Sequence, residues 1–261
     1  MRAFKLLLVI FIIFTACSNA SGSNFGIGVH GGYGVIKFEE KETYLGEHFD
    51  SESSQNVILL GVSGEYSLRR PENLYVGITT DWAFGLKDEE IWRRDNVRIQ
   101  SNDIRISGQF YDLRFGYKNS LNNLNYRFYA SGGWDGLRFK RERWAGTEDT
   151  ITEDISLWRA GAGADLAYGL GKWALNGRIA YSYYPGGKTE DSSLPQLEFD
   201  TEGTCLDFGL GIAREITNNM GVFLGGNYTL QKLKGDEARR TILWESRLEI
   251  LVGVVNITYA F

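Results

Sequence analysis

Between Phe25 and Phe261 apolar and polar side chains alternate in ten runs. A period of two sends successive side chains to opposite faces of an extended chain, so each run predicts a strand with two unlike faces. The clearest run is the last, Ile242 to Phe261. Counting back from its end, Phe261, Tyr259, Ile257, Val255 and Leu251 share one face, interrupted only by Gly253, while Thr258 and Asn256 share the other. It is longer than the common strand of about 5–6 residues. A long strand, apolar on one side and mixed on the other, suits a wall with lipid outside and a polar interior.

The spacing of the runs predicts how they connect. Charged stretches at Glu39–Gln55, Leu86–Asn102, Lys140–Asp154, Pro185–Glu202 and Lys232–Arg240 predict five long loops. Arg69–Asn73, Asn119–Asn123, Leu170–Lys172 and Ile216–Asn219 predict four short turns. A change of parity near Gln109-Phe110 predicts a β-bulge. Ten strands with alternating long and short connections predict an all-β, ten-stranded antiparallel transmembrane β-barrel. Its short turns and both ends would lie on the periplasmic side. A two-sheet sandwich is the competing architecture, but it has no need of an outward aromatic on nearly every strand.

Composition sharpens this picture. The chain has 261 residues with 7 Trp, 14 Tyr, 15 Phe and 32 Gly, but only 3 Pro. Residues 1–20 read as a secretory signal: Arg2 and Lys5, an uncharged run from Leu6 to Ala16, then Ser18-Asn19-Ala20. The barrel domain is then 21–261. Phe14-Thr15-Ala16-Cys17 resembles a lipobox, so Cys17 is either lipidated or removed with the signal; removal leaves Cys205 alone. The formal net charge is −5, or −7 once Arg2 and Lys5 are gone, which excludes a nucleic-acid footprint. The expected location is the bacterial outer membrane.

Parity aims Glu65, Asp81, Asp112, Arg114, Arg127, Asp135, Arg159, Asp165, Arg178 and Asp207 into the bore. Open diffusion pores take about 16–18 strands, so a ten-stranded bore is narrow. Opposite charges confined there are expected to pair and plug the lumen, with a proton or ion path as the rival reading.

The run Asn125-Tyr126-Arg127 through Gly133-Trp134, followed by Arg138 and Phe139, resembles the omptin family, as does the closing strand that ends in Phe261. The resemblance covers roughly Leu74 to Phe261. It implies an omptin-like fold, and in omptins an outer-membrane endopeptidase activity directed at basic residues. The family's catalytic carboxylates would fall at Asp88 and Glu90 in the second loop and at Glu190 and Asp191 in the fourth. The family's histidine has no counterpart in Thr189-Glu190-Asp191-Ser192. His30 and His48, the chain's two histidines, lie elsewhere. The resemblance also implies lipopolysaccharide binding on the outer wall through Trp134, Arg138 and Lys140, although the family's glutamate between them is replaced by Gly136. Phe261 implies recognition by the barrel assembly machinery.

Other chemistry has little support. The chain lacks GxSxG, HExxH and a cysteine pair for metal, so no metal or other cofactor is expected. His30, Glu65 and Ser63 share inward parity and form a minor candidate for a hydrolase triad. The leading expectation is a non-enzymatic surface barrel whose five loops bind a surface partner, such as host matrix or another envelope component. Trp92, Arg93, Arg94 and Trp144 are the residue types that anchor such contacts. The alternatives are an omptin-type endopeptidase or other hydrolase using the loop carboxylates, and a narrow channel.

Overall fold

The computed structural model describes residues 25–44, 46–68, 73–143, 146–192, 198–237 and 242–261. The expected signal segment with Cys17, residues 69–72 of the expected first turn, Trp144 and residues 193–197 and 238–241 lie outside them. The strands are β1 (Phe25–Tyr44), β2 (Glu47–Ser67), β3 (Leu74–Gly85), β4 (Asp88–Arg94), β5 (Val97–Leu121) and β6 (Leu124–Glu142), followed by β7 (Thr150–Leu170), β8 (Trp173–Asp191), β9 (Glu198–Thr217), β10 (Met220–Glu237) and β11 (Ile242–Ala260). All ladders are antiparallel, and β1 pairs with both β2 and β11, which closes the sheet. The Phe261 N–H donates to the Phe25 carbonyl at 2.9 Å across the closure.

Eleven strands fill ten places in this ring. β3 and β4 occupy one place end to end: both lie between β2 and β5, β3 facing Val57–Ser67 and β4 facing Phe49–Ser53. The break at Leu86-Lys87 interrupts the ladder to β5. Gln55 repairs it from β2, its Oε1 accepting the Ile106 backbone N–H at 2.9 Å. A second irregularity lies at Pro185-Gly186, where β8 has an extra residue against β9 between Tyr184↔Gly203 and Gly187↔Thr201. Proline cannot donate to a ladder, and a bulge is one of the places in a sheet that tolerate it.

The charged stretches correct the loop expectation, because most of them are strand. β1 and β2 run to a hairpin around Gly46, whose φ of 84° favours glycine. β4 and β5 meet at Asp95-Asn96, with φ of 50° and 65°, as a two-residue primed hairpin requires. The period of two does not stop at these stretches; the two faces exchange character. On β1 the outward residues Val29, Tyr33 and Val35 give way to Lys37, Glu39 and Lys41, while Ile36 and Phe38 turn inward and are each 1% exposed. On β11 the same switch falls between Glu249 and Leu251, the partners of Lys37 and Val35. Below that level the wall is apolar outward, the belt that meets hydrocarbon. Above it the barrel is built like a soluble protein.

This exchange also explains the parity change on β5. The pairing of Trp82↔Gln109 and Asp81↔Phe110 is regular, so no bulge lies there. Phe110 faces inward because it packs against a core that fills the upper bore. That core gathers Ile36, Phe38, Val57, Ile104, Ile106, Leu137, Phe139, Leu157, Tyr184, Leu248 and Val252, all nearly inaccessible.

Candidate functional site in the lumen

Inward side chains form three tiers. The lowest, inside the lipid belt, holds the ten charges read from parity. Glu65 accepts from Arg127 at 2.6 Å and from Lys118 at 2.9 Å. Asp81 lies 2.5 Å from His30 Nε2. Asp112 accepts from Arg114 at 2.5 Å and from Arg159 at 3.1 Å. Arg159 also lies 3.7 Å from Asp135, which accepts from the Tyr184 hydroxyl at 2.6 Å. Arg178 donates to Asp165 at 2.8 Å, and Asp207 accepts from the Thr229 hydroxyl at 2.6 Å. Parity was enough to find these residues, because the lumen-facing side of a strand is the polar one at this height.

The middle tier is the apolar core. The Phe38 and Phe139 ring centroids lie 4.7 Å apart at its centre. Above it sits a buried ionic cluster. Arg141, 3% exposed, donates to Glu40 on β1 at 2.6 Å, to Glu90 on β4 at 2.9 Å and to Glu153 on β7 at 2.7 Å. Trp244 Nε1 donates to Glu40 at 2.5 Å, and Ser51 and Asn102 donate to Glu90 at 3.1 and 2.7 Å. The Arg141 guanidinium also lies 5.6 Å from the Trp92 ring and 5.8 Å from the Phe139 ring. Burial is the largest influence on Glu40 and pushes its carboxyl up to about 8 against the pull of Arg141. Glu153 is raised for the same reason. Glu42, nearer the mouth, is raised to about 7 by burial first, then by the charges of Glu40 and Asp191.

The four loop carboxylates divide: Glu90 and Asp191 both act on Glu153 in the upper lumen, whereas the other two do not face it. Asp88 and Glu190 are exposed and Asp191 is half-buried. Glu90 is wholly buried and held by Arg141, which corrects its expected place in an open loop. Trp92 is likewise buried, 7% exposed, rather than offered to a partner. Arg93 lies 2.5 Å from Glu52 and Arg94 lies 2.5 Å from Glu47, both on the wall. The His30–Glu65–Ser63 grouping is not assembled: His30 is bonded to Asp81, and Glu65 to Arg127 and Lys118. His48 sits at the first hairpin, 3.0 Å from Thr43. Cys205 is a buried free thiol. Among the described residues no group of His, Cys, Asp and Glu is arranged to hold a metal ion.

Sequence reading missed the Arg141 cluster. Glu40, Glu90, Arg141 and Glu153 all fell in stretches taken for solvated loops. The available signal was their parity, which they share with Phe38, Trp92, Phe139 and Ile151.

On the outer wall, Trp134 lies across Gly136, where a Cβ would meet its ring, and 5.7 Å from the Tyr111 ring. Arg138 donates to Asp154 at 2.6 and 2.9 Å, and Lys140 to Glu142 at 2.5 Å.

A closed antiparallel wall, apolar and aromatic outward along one band and polar inward behind it, defines a bacterial outer-membrane β-barrel protein. The chain belongs to the family described as outer membrane protein beta-barrel domain, whose profile matches residues 6–194. Among solved structures it is similar to the outer membrane protease OmpT from Escherichia coli, with 12% identity over 90% of this chain and 97% of that one and a TM-score of 0.64. It is also similar to the transport unit of the autotransporter AIDA-I from Escherichia coli, with 10% identity over 93% and 92% of the two chains and a TM-score of 0.50. At such identities the likeness is one of fold, here omptin-like. No curated protein sequence matches the chain.

Proposed function

We propose that this protein is a closed, non-enzymatic surface barrel that presents its extracellular hairpins to a surface partner. The observation that carries this reading is the filling of the bore. A buried apolar core and a buried ionic cluster occupy the space that a substrate or solute would need. Glu90, which a loop-carboxylate hydrolase would require, is consumed as a ligand of Arg141. What remains accessible is the rim. Val97, Ile99 and Leu243 are 66%, 51% and 58% exposed near the hairpin ends, set among charged side chains. Trp134, Arg138 and Lys140 stand at the belt's upper edge as the wall site for lipopolysaccharide, where phosphates would compete with Asp154 and Glu142. Phe261, whose ring meets Tyr259 edge-on with centroids 4.9 Å apart, is the residue offered to the assembly machinery.

A second reading, a peptidase of omptin type, draws on Glu42. This carboxyl is raised to about 7 at an open mouth and feels Asp191. A peptide-cleavage assay on refolded protein with lipopolysaccharide separates the two. No cleavage above background is expected. Measured cleavage that is abolished by Asp88→Ala, Glu190→Ala or Glu42→Gln would overturn the non-enzymatic reading. Planar-bilayer recordings are expected to show no large stable openings.

A further inference from the structure

In the upper lumen, among the described residues, three carboxylates share one guanidinium. Glu40, Glu90 and Glu153 are 5%, 0% and 3% exposed, so the excess negative charge has almost no water to screen it. One positive charge offsets one negative charge; two carboxylates remain in a low-dielectric site where like charges repel strongly. Further charge reaches the cluster from its neighbours, Glu42 on β1 and Asp191 on β8, and both are acidic. Yet the geometry is tight, with all three contacts between 2.6 and 2.9 Å. The second oxygen of Glu153, Oε1, has no hydrogen-bond partner although it is buried. An ionised oxygen there is costly; protonation removes the charge and leaves a single O–H to accommodate.

We propose that this cluster is a pH-sensitive latch on the extracellular half of the barrel. Arg141 ties β1, β4, β6 and β7 together, and the tie holds while the surplus carboxyls carry protons. Loss of those protons pits the carboxylates against one another across four strands, and the upper wall loosens from its hairpins down. Acids of the lower barrel are matched more closely by cations or hydroxyl donors, as Asp165 is by Arg178 and Asp207 by Thr229, although Asp135 shares Arg159 with Asp112 and has one buried oxygen, Oδ1, without a partner. The direction of titration agrees. Folding raises Glu40 and Glu153, so their protonated forms favour the closed state fully below about 4.5. That contribution fades as pH rises through about 8, the value for Glu40.

Hydrogen exchange tests this on the whole protein refolded into phospholipid nanodiscs, at about pH 6 and about pH 9 and corrected for intrinsic exchange rates. Protection of 37–44, 88–94 and 150–155 should fall at least about tenfold across that range, the change expected for one unit of pKa difference. Protection of 160–168 in the lipid belt should stay constant. Glu153→Gln keeps the side chain's shape and removes its charge; it should retain upper-strand protection at the higher pH. If that variant fails to fold, Glu40→Gln serves in its place. Upper-strand protection that is equal at both pH values would overturn the proposal. So would a glutamine variant that follows the wild-type profile.

Discussion

Phe139→Ala tests whether the upper bore is dry. Phe139 is 1% exposed and packs its ring against Phe38 at 4.7 Å, beneath the Arg141 guanidinium. Truncation removes the aromatic ring from the centre of the core. The surrounding wall is held on both sides, Ile106↔Phe139 on β5 and Phe139↔Glu153 on β7, and cannot collapse into the gap. A hole in a rigid frame retains most of its cavity, so the loss should lie in the upper part of the usual range, about 3–5 kcal/mol. Arg138→Ala, one residue away on the outward face, removes only an exposed ion pair with Asp154 and should cost about 0–1 kcal/mol. Urea unfolding in phospholipid bilayers, followed by tryptophan fluorescence, measures both variants against the parent. If Phe139→Ala costs no more than Arg138→Ala, the upper lumen is hydrated and the argument for a closed bore fails.

Three further outcomes follow from neighbouring features. Arg159→Met should destabilise by about 3–5 kcal/mol by leaving the buried Asp135 without a cation and Asp112 with Arg114 alone, and adding Asp135→Asn should recover part of that loss in the same unfolding assay. Gln55→Ala should cost about 1–3 kcal/mol, because the Ile106 N–H loses its acceptor at the break between β3 and β4; exchange at that amide should rise with it. Glu42 is raised to about 7, so its contribution to stability is complete below about 4.5 and lost as pH climbs through 7. Glu42→Gln should therefore flatten the decline of the urea midpoint over that interval.

The wall was legible because lipid imposes one rule on every strand. Outward positions such as Tyr33, Phe208 and Tyr181 must be apolar, and their alternation with Gly and polar residues gives each strand away. The lumen charges came from the same rule read on its other face. The strands above the belt escaped because the rule reverses there. Lys37, Glu39 and Lys41 are charged outward, and a run such as EEKE from Glu39 onward reads as loop unless the sign of the pattern is allowed to flip. Phe110 misled for the same reason, as an inward aromatic in a strand judged by outward ones. Asp88, Glu90, Glu190 and Asp191 were located by analogy of position, and analogy carries no information about burial. Only packing distinguishes Glu90, sealed beneath the mouth, from Asp88, two residues earlier and in solvent.

The reversal at Val35 and Lys37 has a consequence for biogenesis. Every hairpin carries its charged upper segment to the far side of the bilayer, and those segments find apolar partners only in one another. While a hairpin is in transit its charges would meet hydrocarbon and its future core would be wet, so no hairpin gains from crossing alone. The upper half therefore condenses last, once several hairpins have emerged together through a sheltered aqueous route. Its formation should be a separate, later kinetic phase than closure of the belt.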